Sequence, residues 1–255
     1  MAKQVNLTRG IARILDDSVL EEYNESIKGY NERARGSLGK FDRSDGKLIG
    51  SNPLMIIHLV NSKLLPEGTK LATREDLGNA ISKDGSFLRG KYADFALALR
   101  TAGDFYEPNN LLAKRLAEQL KRRDISLDRG KLIPLDALSL TEDENSAYGL
   151  VINLKDRAKS SIRDLNDFKW DRTRDKGLAC ALLYMDRYWD SNFEHLAYSS
   201  GLGRVVVVSA KGATKNSGKE DLMKKVKSAL NARNAFEYQG TIYVPVSDKS
   251  IKTNK

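Results

Sequence analysis

From Leu7 to Ala34 the apolar positions Ile11, Leu15, Val19, Tyr23, Ile27, Tyr30 and Ala34 recur every three to four residues, the spacing of one helix face. The spacing predicts an N-terminal amphipathic helix, docked on its own domain or offering a surface for self-association and oligomerisation. The stretch "ARGSLGKFDRSDGKLIGSNP" then scatters Gly36, Gly39, Gly46, Gly50 and Pro53 among polar residues and reads as a linker or irregular connection. Residues 1–50 are therefore expected to be a helical arm and linker, and a folded domain to begin near Ser51. Inside it, Thr73 followed by Asp76 is a loose capping box that predicts a helix to about Ile81. Phe87, Tyr92, Phe95, Ala96 and Leu99 predict a second helix over about 87–100. A third starts with Asn109 or Asn110 as cap and ends in Lys121, Arg122 and Arg123, whose charge suits a helix C-terminus.

Beyond Asp124 the pattern changes. "LIPLDALSL", "AYGLVINLKD" and "GRVVVVSA" are short β-prone runs between polar loops, and Val205 to Val208 has no polar face. That run predicts a central strand buried on both sides. The tail offers a basic helix from Glu220 to about Ala232, a short strand or hairpin in "FEYQGTIYVPV", and a Lys-rich end of disordered character. Helices followed by short strands make this an α+β chain, with two or three helices packed on small mixed or antiparallel sheets.

At 255 residues the chain buries a sizeable core without covalent staples, and the single Cys180 excludes an internal disulfide framework. No signal-peptide h-region and no membrane-spanning apolar run is present, so a cytoplasmic location is the default expectation, with surface or virion display by another route left open. The formal charge of +9 is unevenly placed: residues 114–131 carry seven basic against three acidic side chains, and 211–255 ten against four. That distribution keeps a nucleic-acid partner in view through these two segments.

Candidate chemistry is sparse. Two histidines and one cysteine do not compose an ordinary zinc site, and His58 inside "MIIHLV" reads as a core histidine. No serine occupies a nucleophile elbow, and Cys180 between Ala179 and Ala181 reads as a small buried side chain. "VVVVSAKGATKNSGKEDL" approaches a phosphate loop over 212–219, but Glu220 stands where a hydroxyl must ligate Mg²⁺ and the glycine spacing is one residue too long. A nucleotide-binding enzyme is thus a remote alternative. No catalytic residue, metal or cofactor is expected. Glu107-Pro108-Asn109 has the form of a C-type-lectin calcium tripeptide, yet a helix start explains it more simply.

The densest feature is "DRYWDSNFEHLAYSSGLGRVVVVSA". Tyr184, Tyr188, Trp189, Phe193 and Tyr198 fall within fifteen residues of a chain that is 7% aromatic. Interleaved with Asp, Asn, Ser, Arg and His, they follow neither helical nor alternating spacing, and their composition is that of a paratope. Trp189 and Leu196 are expected to be internal anchors.

The segment from Asp167 to Ala210 resembles the C-terminal part of the variable proteins of diversity-generating retroelements, particularly archaeal ones. The resemblance is carried by Gly177, Leu178, Ala179, Ala181, Leu183, Trp189, Ser191, Leu196, Ser199 or Ser200, Gly203, Arg204, Val205 to Val208 and Ser209. It implies a C-type-lectin fold without calcium over 51–210, with a variable region at about 178–204 and a basic extension at 211–255. Trp189, Ser191, Leu196, Gly203 and Arg204 are then scaffold frame. Tyr184, Asp186, Arg187, Tyr188, Asp190, Asn192, Phe193, His195, Tyr198, Ser200 and Leu202 are then candidate ligand contacts. Most of the gap-filling types, Cys180, Leu182 and Ala197 included, arise by adenine mutagenesis of asparagine codons; Met185 and Glu194 do not. The expected partner is a protein or surface glycan bound by an exchangeable face.

Overall fold

The computed structural model describes residues 4–8, 10–185, 187–209, 236–238 and 241–243. It divides into two compact units, 1–210 and 211–255. In chain order the first holds β1 (Gln4–Asn6), β2 (Ile11–Ile14), α1 (Leu20–Ser26), α2 (Glu32–Leu38), β3 (Asp42–Ser44), β4 (Lys47–Ile49), α3 (Pro53–Asn61), β5 (Thr69–Leu71) and α4 (Arg74–Lys83). Then follow β6 (Tyr92–Leu99), α5 (Glu107–Lys121), β7 (Lys131–Pro134), β8 (Leu138–Glu142), β9 (Leu150–Leu154), β10 (Arg163–Asp164), β11 (Arg172–Thr173), β12 (Leu178–Tyr184), β13 (Tyr188–Ser191) and β14 (Val206–Ser209). In the second unit, β15 (Phe236–Tyr238) and β16 (Thr241–Tyr243) form the hairpin expected in "FEYQGTIYVPV". The predicted helix at 220–232 and the loop at 212–219 lie outside the described residues.

The chain is α+β, with five α-helices on several small sheets among the described residues. A curled six-stranded sheet runs in the order β10-β7-β6-β12-β13-β11, and a four-stranded one in the order β1-β2-β14-β5. β14 is the central strand that the valine run predicts: every residue from Val206 to Ser209 is buried, between β2 and β5.

The continuous N-terminal helix does not form. Ile11–Ile14 is a strand on β14, Asp17–Val19 a short 3-10 turn that Asp16 caps, and only Leu20–Ser26 and Glu32–Leu38 are α-helical. The apolar spacing still marks the inward side, since Leu15, Val19, Tyr23, Ile27 and Ala34 all enter the main core. Sheet pairing with the valine strand outweighs helix propensity at Ile11–Ile14, and the Asp16-Asp17-Ser18 run ends the strand by a side-chain cap. The apolar face is used within the chain, so residues 1–50 are part of the first unit and not a free arm. The expected linker likewise contains a hairpin, β3–β4, turned by Asp45 and Gly46 at φ 54° and 69°. Both residues are left-handed, as the tightest hairpin turn requires.

Thr73 and Asp76 make the reciprocal capping box that starts α4. The second predicted helix is instead β6, buried along its whole length between β7 and β12. Gly90, at φ 67°, interrupts a helix at its start. A bulge then places Leu182 opposite Asp94 but Ala181 opposite Ala96, leaving Phe95 extra. That insertion puts both Phe95 and Ala96 on one side, which breaks the two-residue alternation and imitates helical spacing. α5 forms as expected, but Tyr106 precedes it; Asn109 lies inside, fully buried. His58 is a satisfied core histidine, with Nε2 2.8 Å from Ser26 Oγ and Nδ1 3.3 Å from Tyr30 Oη, and burial holds its pKa below the ordinary value.

Because β1 and β2 complete the sheet that buries β14, removing residues 1–16 is expected to abolish the cooperative thermal transition. A melt unchanged by this truncation, followed by circular dichroism, would mark the segment as an appendage.

Candidate ligand-binding face

The β12–β13 hairpin sets Leu182 opposite Asp190, Leu183 opposite Trp189 and Tyr184 opposite Tyr188. Strand alternation sends Leu183 and Trp189 to one side of the sheet and the other four to the opposite side. Trp189 packs edge-on against Phe95 at 5.7 Å, with the Arg74 guanidinium 4.4 Å from its ring centre. Arg74 also approaches Phe168 and Trp170, and burial among these rings lowers its pKa. The hairpin turns at Met185, φ 52°, and Arg187 N donates to the Tyr184 carbonyl at 3.1 Å. Asp186 lies outside the described residues.

From Asn192 to Arg204 the chain has no regular secondary structure, and fixed side chains from elsewhere hold it. Asn109 Nδ2 donates to the carbonyls of Leu178 (2.8 Å) and Glu194 (2.7 Å), while its Oδ1 accepts from Tyr148 Oη at 2.7 Å. Asn52 Nδ2 donates to the Ala197 carbonyl at 3.1 Å. Tyr92 Oη accepts from Ser200 N and donates to the Ser51 carbonyl; its pKa is pushed up to about 12, chiefly by burial. Backbone bonds finish the clamp: Phe193 O accepts from Cys180 N, and Gly203 O from Gly50 N. A side chain at Gly203 would meet Ser51 N at 2.6 Å, so the two segments approach too closely for any other residue.

The frame residues Ser191, Leu196, Gly203 and Arg204 are buried, and Trp189 is partly buried in the second core cluster. Of the candidate contacts, Tyr184, Asp190, Phe193, Tyr198, Ser200 and Leu202 border one cavity of about 250 Å³. Tyr188 stands beside it under the Arg172 guanidinium, 5.3 Å from the ring centre. Arg187 and Asn192 are exposed away from the cavity, and His195 turns towards Tyr106 and Tyr148. Cys180 and Leu182 are buried beneath the face, the thiol pushed to a higher pKa by burial.

The cavity floor adds Tyr92 and Asp94, which sequence reasoning misses because both sit in the misassigned helix. Asp94 is buried, accepts from Ser51 Oγ at 2.5 Å, and its pKa is raised to about 7 by desolvation, which that hydrogen bond only partly offsets. Asn109 was legible as a helix-start residue and Asn52 was not; nothing in the sequence marks either amide as a clamp on a distant loop.

Four of the seven basic side chains in 114–131 form ion pairs within the chain. Arg115 pairs with Asp143, Arg123 with Asp156, Arg129 with Asp164 and Asp167, and Lys131 with Asp164. No cluster of three or more metal-ligating side chains is found among the described residues. No helix among them is long and apolar enough to cross a membrane.

Two outcomes follow. Asn109→Ala strands two loop carbonyls and a tyrosine hydroxyl and is expected to cost about 2–4 kcal/mol in urea unfolding. For Asp94 the folded pKa exceeds the unfolded one, so the native state holds the extra proton between about pH 4 and 7 and loses stability as pH rises through that window. Asp94→Asn stays neutral throughout, and its stability relative to wild type should rise over that window and level off above it, in urea melts at stepped pH. Comparison with family models, curated proteins and solved structures gives no match.

Proposed function

We infer that the chain is a ligand-binding protein that displays an exchangeable surface on a rigid C-type-lectin-type scaffold, the variable positions lying between about 178 and 204. One observation carries this reading. Of the five large hydrophobic side chains exposed among the described residues, four are Tyr188 (39%), Phe193 (38%), Tyr198 (50%) and Leu202 (40%). All four fall within fifteen residues, on a backbone held by buried groups. Soluble chains seldom leave aromatic side chains clustered at the surface without a partner for them. Aromatic anchors supply affinity there and polar neighbours specificity, with little ordering cost because the backbone is already fixed.

Support for the nucleic-acid alternative is reduced by the internal ion pairs of Arg115, Arg123, Arg129 and Lys131, which leave that reading resting on Lys114, Lys121 and Arg122 and the charge of 211–255.

The test has a genetic and a physical arm. The gene is expected to lie near a reverse transcriptase and a near-identical template repeat, differing from codons 178–204 chiefly at template adenines. Replacing Tyr188, Phe193 and Tyr198 together by Ser should shift unfolding by no more than about 1.5 kcal/mol, whereas Leu196→Ala should cost about 2–5 kcal/mol. A locus lacking both elements removes the diversification claim, and a triple variant that unfolds removes the separation of face from frame.

A further inference from the structure

The cavity in the face has a chemical character of its own. Asp94 on β6 and Asp190 on β13 both stand opposite Leu182 of the intervening β12, so the two carboxylates flank one apolar side chain on one side of the sheet. Both are buried, both border the cavity, and neither has a basic side chain within ion-pair distance among the described residues. Asp94 accepts from Ser51 Oγ and Asp190 Oδ1 from Asn192 N, both neutral donors. The walls above them are aromatic: Tyr184, Phe193 and Tyr198. One cation, the exposed Arg172, borders the cavity beside Asp190, its partner across β11–β13, and its guanidinium lies over the neighbouring Tyr188 ring.

Resting on the ligand-binding reading above, we propose that the cavity takes a positively charged side chain, arginine or lysine, projecting from a protein ligand. Two desolvated carboxylates favour a cation and repel an anion, and ring faces stabilise a guanidinium or ammonium entering between them. About 250 Å³ suits one side chain rather than a whole small-molecule ligand. The surrounding apolar rim, from Tyr188 to Leu202, extends the contact well beyond that cavity and calls for a macromolecular surface around the inserted group. Asp94 lies outside 178–204, so the preference for a cation persists as the variable residues change, while Asp190 tunes it.

The test uses the full chain at pH 8 and capped tripeptides as probes. NMR or calorimetric titration should show Ac-Gly-Arg-Gly-NH2 binding at least about fivefold tighter than its neutral citrulline isostere, with the glutamate peptide not binding. Asp190→Asn and Asp94→Asn should each erase most of that preference, with thermal melts confirming that both variants fold. Equal binding of the arginine and citrulline peptides, binding of the glutamate peptide, or no binding of any would overturn the proposal. Methylguanidinium binding as tightly as the arginine peptide would overturn its assignment to a protein ligand. Failure here with a template repeat beside the gene refutes the cation preference alone. Success without one keeps the preference and removes diversification.

Discussion

An irregular backbone packed against a core must find hydrogen-bond partners for its peptide groups without a continuous strand ladder. That constraint governs the segment from Asn192 to Arg204. Single backbone bonds from Cys180, Tyr92 and Gly50 meet some of them, and side chains from three other elements meet others: Asn52 at the start of α3, Tyr92 at the start of β6, and Asn109 inside α5. Each is itself immobilised. Asn52 caps its helix by accepting from Met55 N, Tyr92 is anchored on the Ser51 carbonyl, and Asn109 is locked by Tyr148. The loop's shape therefore depends on residues far from it in sequence and only weakly on its own outward side chains.

A β-hairpin and a clamped loop divide inward from outward in different ways. In β12–β13 the two-residue period does it, placing Trp189 among Phe95, Phe168 and Trp170 and Tyr188 in solvent. Past Asn192 no period exists, and the division is made by single anchors: Leu196 fills the main core, while Gly203 passes so close to Ser51 that no side chain fits. Tyr184 of the hairpin and Phe193 and Tyr198 of the loop then border one cavity, because Cys180 N bonds Phe193 O and folds the loop back along β12.

What the sequence made legible follows from how local each determinant is. The capping box at Thr73, the buried valine strand and the amphipathic α5 are each specified within a few residues, and each forms. Trp189, Ser191, Leu196, Gly203 and Arg204, which the resemblance singles out as frame, are positions where side chains turn inward or the backbone crowds. The failures share a cause in non-local pairing. Ile11–Ile14 is a strand because β14 lies beside it, and the bulge at Phe95 is defined only against β12. Asp94 entered the cavity floor unannounced for the same reason: its place depends on which side of that bulge it falls.

The division between side chains that hold the backbone and side chains that only face outward is not complete, and the exceptions can be identified from hydrogen bonds. Tyr188, Phe193, Tyr198 and Leu202 offer no polar group that holds the backbone, so changing them leaves the loop's own bonds intact. Asp190 and Ser200 differ. Asp190 Oδ1 accepts from Asn192 N at 2.7 Å, and Ser200 Oγ accepts from Leu202 N at 3.3 Å. Ser199 Oγ, one residue earlier, accepts from Ser51 N. Replacing any of these by a residue with no acceptor leaves a backbone amide to find another partner, so their tolerated set is narrowed to Asp, Asn, Ser and Thr. Two of the positions that border the cavity thus also carry the fold. An alignment of natural variants would show that restriction at 190 and 200 and not at 188, 193, 198 or 202.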